Sequence, residues 1–490
     1  MTPRAAPSGY EIVIGLEIHV QLRTQSKMFC ACPTTFGAPP NTQTCPVCLG
    51  LPGSLPVLNA RAVELGLRTA AALECQIHTR SRFHRKNYYY PDLPKNYQIT
   101  QYEYKVHPPL ATQGGLDLPG EQGEARRVHI RRVHLEEDTA RLVHAETGVA
   151  PGHSLIDFNR AGVPLMEVVT EPDLRSPSGA RLFLGRLRAL LQAIEVSTGR
   201  MEEGSLRCDA NISLRSPGGA LGVRTEVKNM NSLRSVERAL AYEAARQQAI
   251  LERGDPVGQE TRHWDERRAV TFASRTKEEA QDYRYFPEPD LVPLVVSEGA
   301  AAEIRASLPE LPEARRRRYV DAYGLPAHDA ALMTSSQAMA AFFEETVRRH
   351  PHPRTVSNWL VGDVAGHLNS EGRELEDVPV TPAHLAELLD LVDEGTVSGR
   401  TAKEILPEML HSGRMPREIV ASGGLGQISD PGELTAVIEA VLAAHPGPAA
   451  EVRGGKSAAL TFIMGQIMKH TRGRANPEVV GRLLREHLTP

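Results

Sequence analysis

The chain has 490 residues, 41% hydrophobic and 24% charged, with a formal net charge of −4. That length exceeds a single hydrophobic core and predicts roughly two to four domains of an ordinary globular protein. The charge balance excludes nucleic-acid binding through overall charge, leaving local basic patches, and no apolar run approaches the ~18 residues that span a bilayer.

The first nine residues lack the apolar core of a signal peptide, so a short tail and a cytoplasmic protein with no membrane segment are expected. Ile14–Leu22 then alternates strictly. Ile14, Leu16, Ile18, Val20 and Leu22 fall on one side, and Glu17, His19 and Gln21 on the other. Successive strand side chains point to opposite sheet faces, so this is a strand with one face on a core and one polar face. Four of the six cysteines follow as Cys30-Ala-Cys32 and Cys45-Pro-Val-Cys48. In a cytoplasmic chain this spacing predicts a closed, structural Zn²⁺ site in preference to disulfides, with unliganded thiols as the alternative. Cys75 and Cys208 read as buried small hydrophobes.

Arg85–Gln98 is dense in cations, amides and tyrosines, which suits either a ligand-stacking loop or a structural tyrosine cluster. In Val128–Leu135 the apolar residues switch from even to odd positions, predicting a bulge or break near Arg131-Arg132; beyond it His134 and Glu136 share a face, while Glu137 points the other way or follows the turn with Asp138. Ser176-Pro177 and Ser232 open two amphipathic helices, the second ending at Gly254. Between and after them, Arg207–Arg215 sets Arg207, Asp209, Asn211 and Ser213 on one face, and Val223–Lys228 does the same with Arg224, Glu226 and Lys228.

Three prolines within Phe286–Pro293 break this mixed region. The remainder is helical in pattern, with cap-proline starts at Thr381-Pro382, Asp430-Pro431 and Asn476-Pro477. A further boundary falls near residues 405–415. The basic clusters at 80–86, 126–132, 315–318 and 469–474 are each solvated faces or phosphate contacts. Arg453–Ser457 imitates the end of a P-loop, but Ala450 stands where the first glycine is required and no strand precedes it.

Carboxylates and an imidazole repeated on polar strand faces fit an antiparallel sheet with one wet face. A wet face usually carries Thr, Lys, Gln and Ser, however, and the groups found here fit better a Mg²⁺ site which, with Lys and Arg, handles a transferring phosphoryl group. Spacing alone does not separate the latter from a carbohydrate or organic-acid pocket.

Taken together, Glu11–His19, Cys45–Gly53, Arg85–Gln98, His134–Asp138, Asp157–Pro164, Met201–Ser213, Glu226–Asn231, Glu260–Asp265 and Asp282–Asp290 resemble the GatB subunit of the aspartyl/glutamyl-tRNA amidotransferases over essentially the whole chain. The resemblance implies an α+β protein. Its parts would be a cradle domain around an antiparallel sheet (1–292), a helical domain (293–408) and a small all-α YqeY-like tail (409–490). It also implies ATP-dependent amidation of misacylated Asp-tRNA(Asn) or Glu-tRNA(Gln) through an acyl phosphate. Ammonia would come from a partner amidase subunit (GatA), joined by a small subunit (GatC) in a heterotrimer.

Carried onto this chain, Glu17, His19 and Glu136 would hold Mg²⁺, with Glu137 as substitute. Glu203, Asp209 and Glu226 would complete the charge, and Lys86, Arg207, Lys228 and Arg284 would offset phosphate. Zn²⁺ on Cys30, Cys32, Cys45 and Cys48 would brace the fold without entering the chemistry, because some members lack the cluster. Lys456, Lys469, Arg472 and Arg474 would touch tRNA. The competing readings are a non-catalytic tRNA-binding protein with structural zinc and a metal-dependent hydrolase acting without ATP or tRNA.

Overall fold

The computed structural model describes residues 9–102, 107–119, 125–143, 153–276, 283–428, 430–453, 457–471 and 473–488. The chain divides into two compact units, Met1–Pro312 and Glu313–Pro490.

The first unit is built on β1 (Glu11–Gln21), whose alternation appears in its burial: Ile14, Ile18 and Val20 are fully buried. Helix α1 (Ala60–Ala72) follows, capped by the Asn59 side chain. Short strands β2 (Gln76–Ile77) and β3 (Arg80–Ser81) lead to β4 (Phe83–Asn87), β5 (Tyr97–Gln101) and β6 (Ala111–Pro119). Then come β7 (Ala125–Glu137), β8 (Arg141–Val143), β9 (Leu155–Asp157) and β10 (Pro164–Thr170). Helix α2 (Pro177–Ala193) starts where Ser176 accepts a hydrogen bond from the Gly179 amide at 3.0 Å, with Pro177 in the first turn. Its stripe of Phe183, Leu187, Leu190, Leu191 and Ile194 is buried. Strands β11 (Leu206–Arg215) and β12 (Thr225–Lys228) precede α3 (Leu233–Glu252), which is capped by Ser232 and stops before Gly254 in the left-handed region. The unit closes with β13 (Glu260–Asp265), β14 (Val270–Thr276), β15 (Phe286–Pro287), β16 (Leu294–Val295) and α4 (Glu298–Ala306), which packs on α1.

The main sheet runs β14-β13-β12-β11-β1-β10-β7-β5-β4-β15, with β6 also on β7 and β2 on β6. Every pair is antiparallel except β12 with β13, so the sheet is mixed, within an α+β fold. The predicted bulge is present. Val169 faces Arg132 and Thr170 faces Ile130, leaving Arg131 as the extra residue, and Val128, Ile130, Val133 and Leu135 are all buried as a result. Helices α1 and α3 cover one face of the sheet, packing on β7 and β11. The apolar cluster between them contains the inward side chains of β1, β7, β10 and β11. Each large side chain buried there contributes roughly 1.5–3 kcal/mol. The opposite face is left to polar groups.

In the second unit the cap-proline signals become the helices Pro382–Asp393, Pro431–Ala444 and Pro477–Leu488. Its apolar side chains form two clusters, one from Tyr319 to Leu425 and one from Ile428 to Leu484. Among the described residues, no helix is long and apolar enough to cross a membrane.

Candidate functional site

Sheet register assembles the site. On the polar face His134 of β7, Glu167 of β10, His19 of β1 and Arg207 of β11 stand directly opposite one another in turn across four strands. The neighbouring row sets Glu17 against Asp209, and Asn211 of the next row faces Glu226. Opposed residues bring their Cβ atoms to ~5 Å, so the rows converge into one charged cluster. His19 Nε2 lies 3.5 Å from Glu136 and 3.4 Å from Glu167, and His134 Nε2 lies 3.7 and 3.5 Å from the same two carboxylates. Arg132 reaches Glu167 at 3.0 Å. His19, Glu136 and Glu167 each offer a donor atom within 4.8 Å of the others, close enough to converge on one cation.

The cluster opens into a cavity of about 660 Å³ whose wall includes Glu17, Lys86, Arg132, Glu136, Glu167 and Tyr285. Tyr285 stacks on Tyr102 at 4.0 Å between ring centres, while Lys86 sits 4.9 Å over the Tyr283 ring.

Burial alone would neutralise these groups, and their neighbours reverse that for most of them. For Glu136, burial works upward on the pKa, but the hydrogen bond with His134 and the charge of His19 hold it below the usual carboxylate range. Burial also pushes Glu167 upward, and the two histidines and Arg132 bring it well down. Burial would lower His19, yet its hydrogen bond to Glu167 and the charges of Glu136 and Glu167 raise it to about 9. Glu17 is the exception. Its burial and the nearby Glu167 and Glu226 charges raise it, against the pull of Lys228.

Asp209 and Glu226 both pair with Lys228, the latter at 3.1 Å, and Thr261 donates to Glu226 at 2.8 Å. Arg207 binds Asp138 at 2.9 Å, and its Nε is buried without a hydrogen-bond partner.

Other residues singled out in the sequence lie elsewhere. Glu137 points to the opposite side, as its parity requires; it pairs with Lys95 and accepts the Ile99 amide at 2.9 Å. Gly50 of the cysteine turn has φ 67°, and a Cβ there would strike Lys95, so this ion pair rests directly on the turn. Glu203 pairs with Arg200 at 2.8 Å, away from the cluster. The Arg284 side chain is exposed, and its backbone carbonyl accepts from Asn87 at 2.9 Å. Arg85 is structural, forked onto Glu288 at 2.7 and 2.8 Å. Lys469 is exposed, and Arg474 donates to the Gly424 carbonyl at 2.9 Å. Lys456 and Arg472 lie outside the described residues.

Sequence reasoning missed Glu167 as a site residue. Its strand, Pro164–Thr170, is buried on both faces and shows no alternation. The available signal was that Glu167 is the only ionisable residue in that run, and a buried charge needs partners.

Cys30, Cys32, Cys45 and Cys48 bring their sulfurs within 4.8 Å of one another and form no disulfide. A hydrogen bond from Cys30 outweighs burial and draws the Cys48 thiol down to about 4, with help from the Cys45 backbone and the Lys27 charge. Lys27 Nζ is 3.6 Å from that sulfur. Four converging sulfurs, with surroundings that favour the thiolate form of Cys48, are a donor set compatible with structural zinc.

Two sequence families match the chain: the GatB/GatE catalytic domain over residues 12–302 and the GatB domain over residues 341–488. The B subunit of the aspartyl/glutamyl-tRNA(Asn/Gln) amidotransferase of Moorella thermoacetica is 54% identical over 480 residues, which is 98% of this chain and all of the relative. The protein of the same name from Carboxydothermus hydrogenoformans is 50% identical, again over 98% of this chain and 99% of its own length. With its charged sheet face, cysteine turn and helical second unit, the chain belongs to the GatB family, the B subunits of the aspartyl/glutamyl-tRNA(Asn/Gln) amidotransferases.

Proposed function

We propose that this chain activates the side-chain carboxylate of misacylated Asp-tRNA(Asn) or Glu-tRNA(Gln) for amidation, within an assembly that includes an amidase subunit and a small third subunit. The observation that carries the reading is the convergence of His19, Glu136 and Glu167, the two carboxylates lying in the wall of a cavity that also contains Glu17, Lys86 and Arg132. A free carboxylate is a poor electrophile. Its oxygen would attack the γ-phosphorus of ATP as the bond to ADP breaks, and ammonia would then expel phosphate from the acyl carbon to leave the amide.

The oxygens of Glu17, Glu136 and Glu167, with His19, fit a Mg²⁺ ion, which when bound supplies Lewis-acid stabilisation of phosphoryl charge. Lys86, Arg207 and Lys228 would hold nucleotide phosphates, and the unpartnered Nε of Arg207 leaves a donor free for that role. Asp209 and Glu226 position Lys228. Glu137 and Glu203 take structural parts, and Arg284 is a peripheral phosphate contact. The helical part would comprise a middle domain and a tail, with Lys456, Lys469, Arg472 and Arg474 on the tRNA.

The test is reconstitution with the two partner subunits, measuring amide formation on each misacylated tRNA. Glu17→Ala and His19→Ala should abolish ATP-dependent phosphoryl transfer and leave tRNA binding intact. Unchanged turnover in both variants would support a non-catalytic tRNA-binding role, and turnover without ATP would favour a hydrolase.

A further inference from the structure

The helical unit holds a second cluster of metal-ligating side chains, remote in sequence from the acidic sheet face. The helix Gln337–Arg349 ends at His350, and the chain continues His350-Pro351-His352-Pro353 into the next helix. A residue before proline is kept out of the helical region, and both histidines comply, His350 in extended backbone with φ −124° and His352 with φ −123° and ψ 76°. His352 also donates its amide to the His350 carbonyl at 2.7 Å. The two imidazoles are thus held on a stiff segment, with ring centres 5.0 Å apart. Facing them is the last turn of Pro382–Asp393, which presents Asp390 and Asp393.

His350 is 2% exposed. Its Nδ1 lies 2.7 Å from Asp390 Oδ1; the carboxylate only accepts, so this nitrogen carries the proton and donates it. In the neutral ring the other nitrogen, Nε2, is then a bare lone pair. It is buried, has no hydrogen-bond partner and faces Asp393 Oδ2 at 3.6 Å. His352 Nε2 comes to 3.9 Å from the same oxygen. A bare ring nitrogen aimed at a carboxylate is unfavourable unless a proton or a metal cation lies between them, and the second imidazole directed at the same oxygen favours the metal. Tetrahedral ligands at the usual Zn–N and Zn–O distances of ~2.0–2.1 Å stand roughly 3.3 Å from each other, so only a small closure is required. The arrangement of Asp390 on the far nitrogen of His350 is how carboxylates orient metal-bound imidazoles.

We propose that His350, His352 and Asp393 form a divalent transition-metal site, selective for zinc-like ions over Mg²⁺, with Asp390 as the positioning residue. Two imidazoles and one carboxylate favour borderline ions such as Zn²⁺, whereas Mg²⁺ prefers an all-oxygen shell. The ion ties the end of one helix to the end of another, and exposed His352 and Asp393 leave one coordination position toward solvent.

A second trio in the same unit, His367, Glu371 and His411, also converges, with both imidazoles 3.1 Å from Glu371, but its central imidazole is less buried than His350, at 22% against 2% exposed. It therefore serves as the internal comparison. The experiment equilibrates the purified full chain with buffered micromolar Zn²⁺, then measures zinc per chain and the zinc-induced shift in melting temperature. His352→Ala and Asp393→Ala alter exposed side chains and should leave the fold intact, as checked by circular dichroism. Each should hold one zinc fewer than the parent and lose the zinc-dependent part of the shift. Asp390→Asn should weaken zinc binding by about 10- to 100-fold, and His411→Ala should match the parent. Equal zinc content in the parent, His352→Ala and Asp393→Ala overturns the proposal, as does loss of that zinc in His411→Ala alone.

Discussion

Two sets of ion pairs, one from each unit, sit at different depths. On the sheet face Glu136 and Glu167 keep 3% and 9% of their surface while touching two histidines and Arg132. In the helical unit Arg400 and Glu404 pair one turn apart with 83% and 60% of their side chains in water. Removing charge from water costs several kcal/mol per ion, and a sheet can obtain the same stability from apolar residues. A face that nonetheless concentrates carboxylates and imidazoles is built to receive a charged ligand. The helical pair, screened by solvent, does little more than keep a surface soluble.

The largest test of this contrast removes one buried carboxylate. Glu167→Ala removes the carboxylate that Arg132, His19 and His134 share and leaves Glu136 to balance both histidines, a loss of about 3–5 kcal/mol that thermal unfolding would register. Amide formation in the reconstituted enzyme should fall by roughly 100-fold or more. A melting temperature equal to the parent's would mean that the face is simply solvated.

A subtler test uses pH. His19 has its pKa raised from 6.5 to about 9, so it contributes stability that is complete below pH 6.5 and lost as pH climbs through 9. Metal-free protein should therefore weaken over that interval by on the order of 2–3 kcal/mol, and His19→Gln should flatten the profile. Added Mg²⁺ should reverse the trend, because a ligand nitrogen must first release its proton. The smallest effect belongs to Arg400→Ala, which should alter stability by no more than about 0.5 kcal/mol in a urea melt.

Much of this architecture is legible in the amino-acid order alone. Strict alternation in Ile14–Leu22 locates the central strand and its polar face, and the parity switch after Ile130 locates the bulge, because a period of two leaves no freedom about sides. Caps and prolines mark the helix starts, since the unsatisfied amides of a first turn need such residues. Glu167 is hidden because a strand buried on both faces carries no alternation to read. The partnership of Lys95 with Glu137, and of Arg85 with Glu288, depends on which strands become neighbours, and that is decided by pairings across long stretches of chain. The parallel contact of β12 with β13 is illegible for the same reason.

The central position of β1 has a consequence for how the protein is made. This strand is synthesised before either of its partners: β10 follows after about 140 more residues and β11 after about 185, on the order of ten seconds of synthesis or more. Throughout that delay an alternating apolar strand waits with both hydrogen-bonding edges open, the state most prone to pair with a stranger. Folding of the unit is therefore expected to be late and dominated by distant contacts. A nascent chain stalled before residue 164 should be an avid client for chaperones, and one released after residue 215 should not.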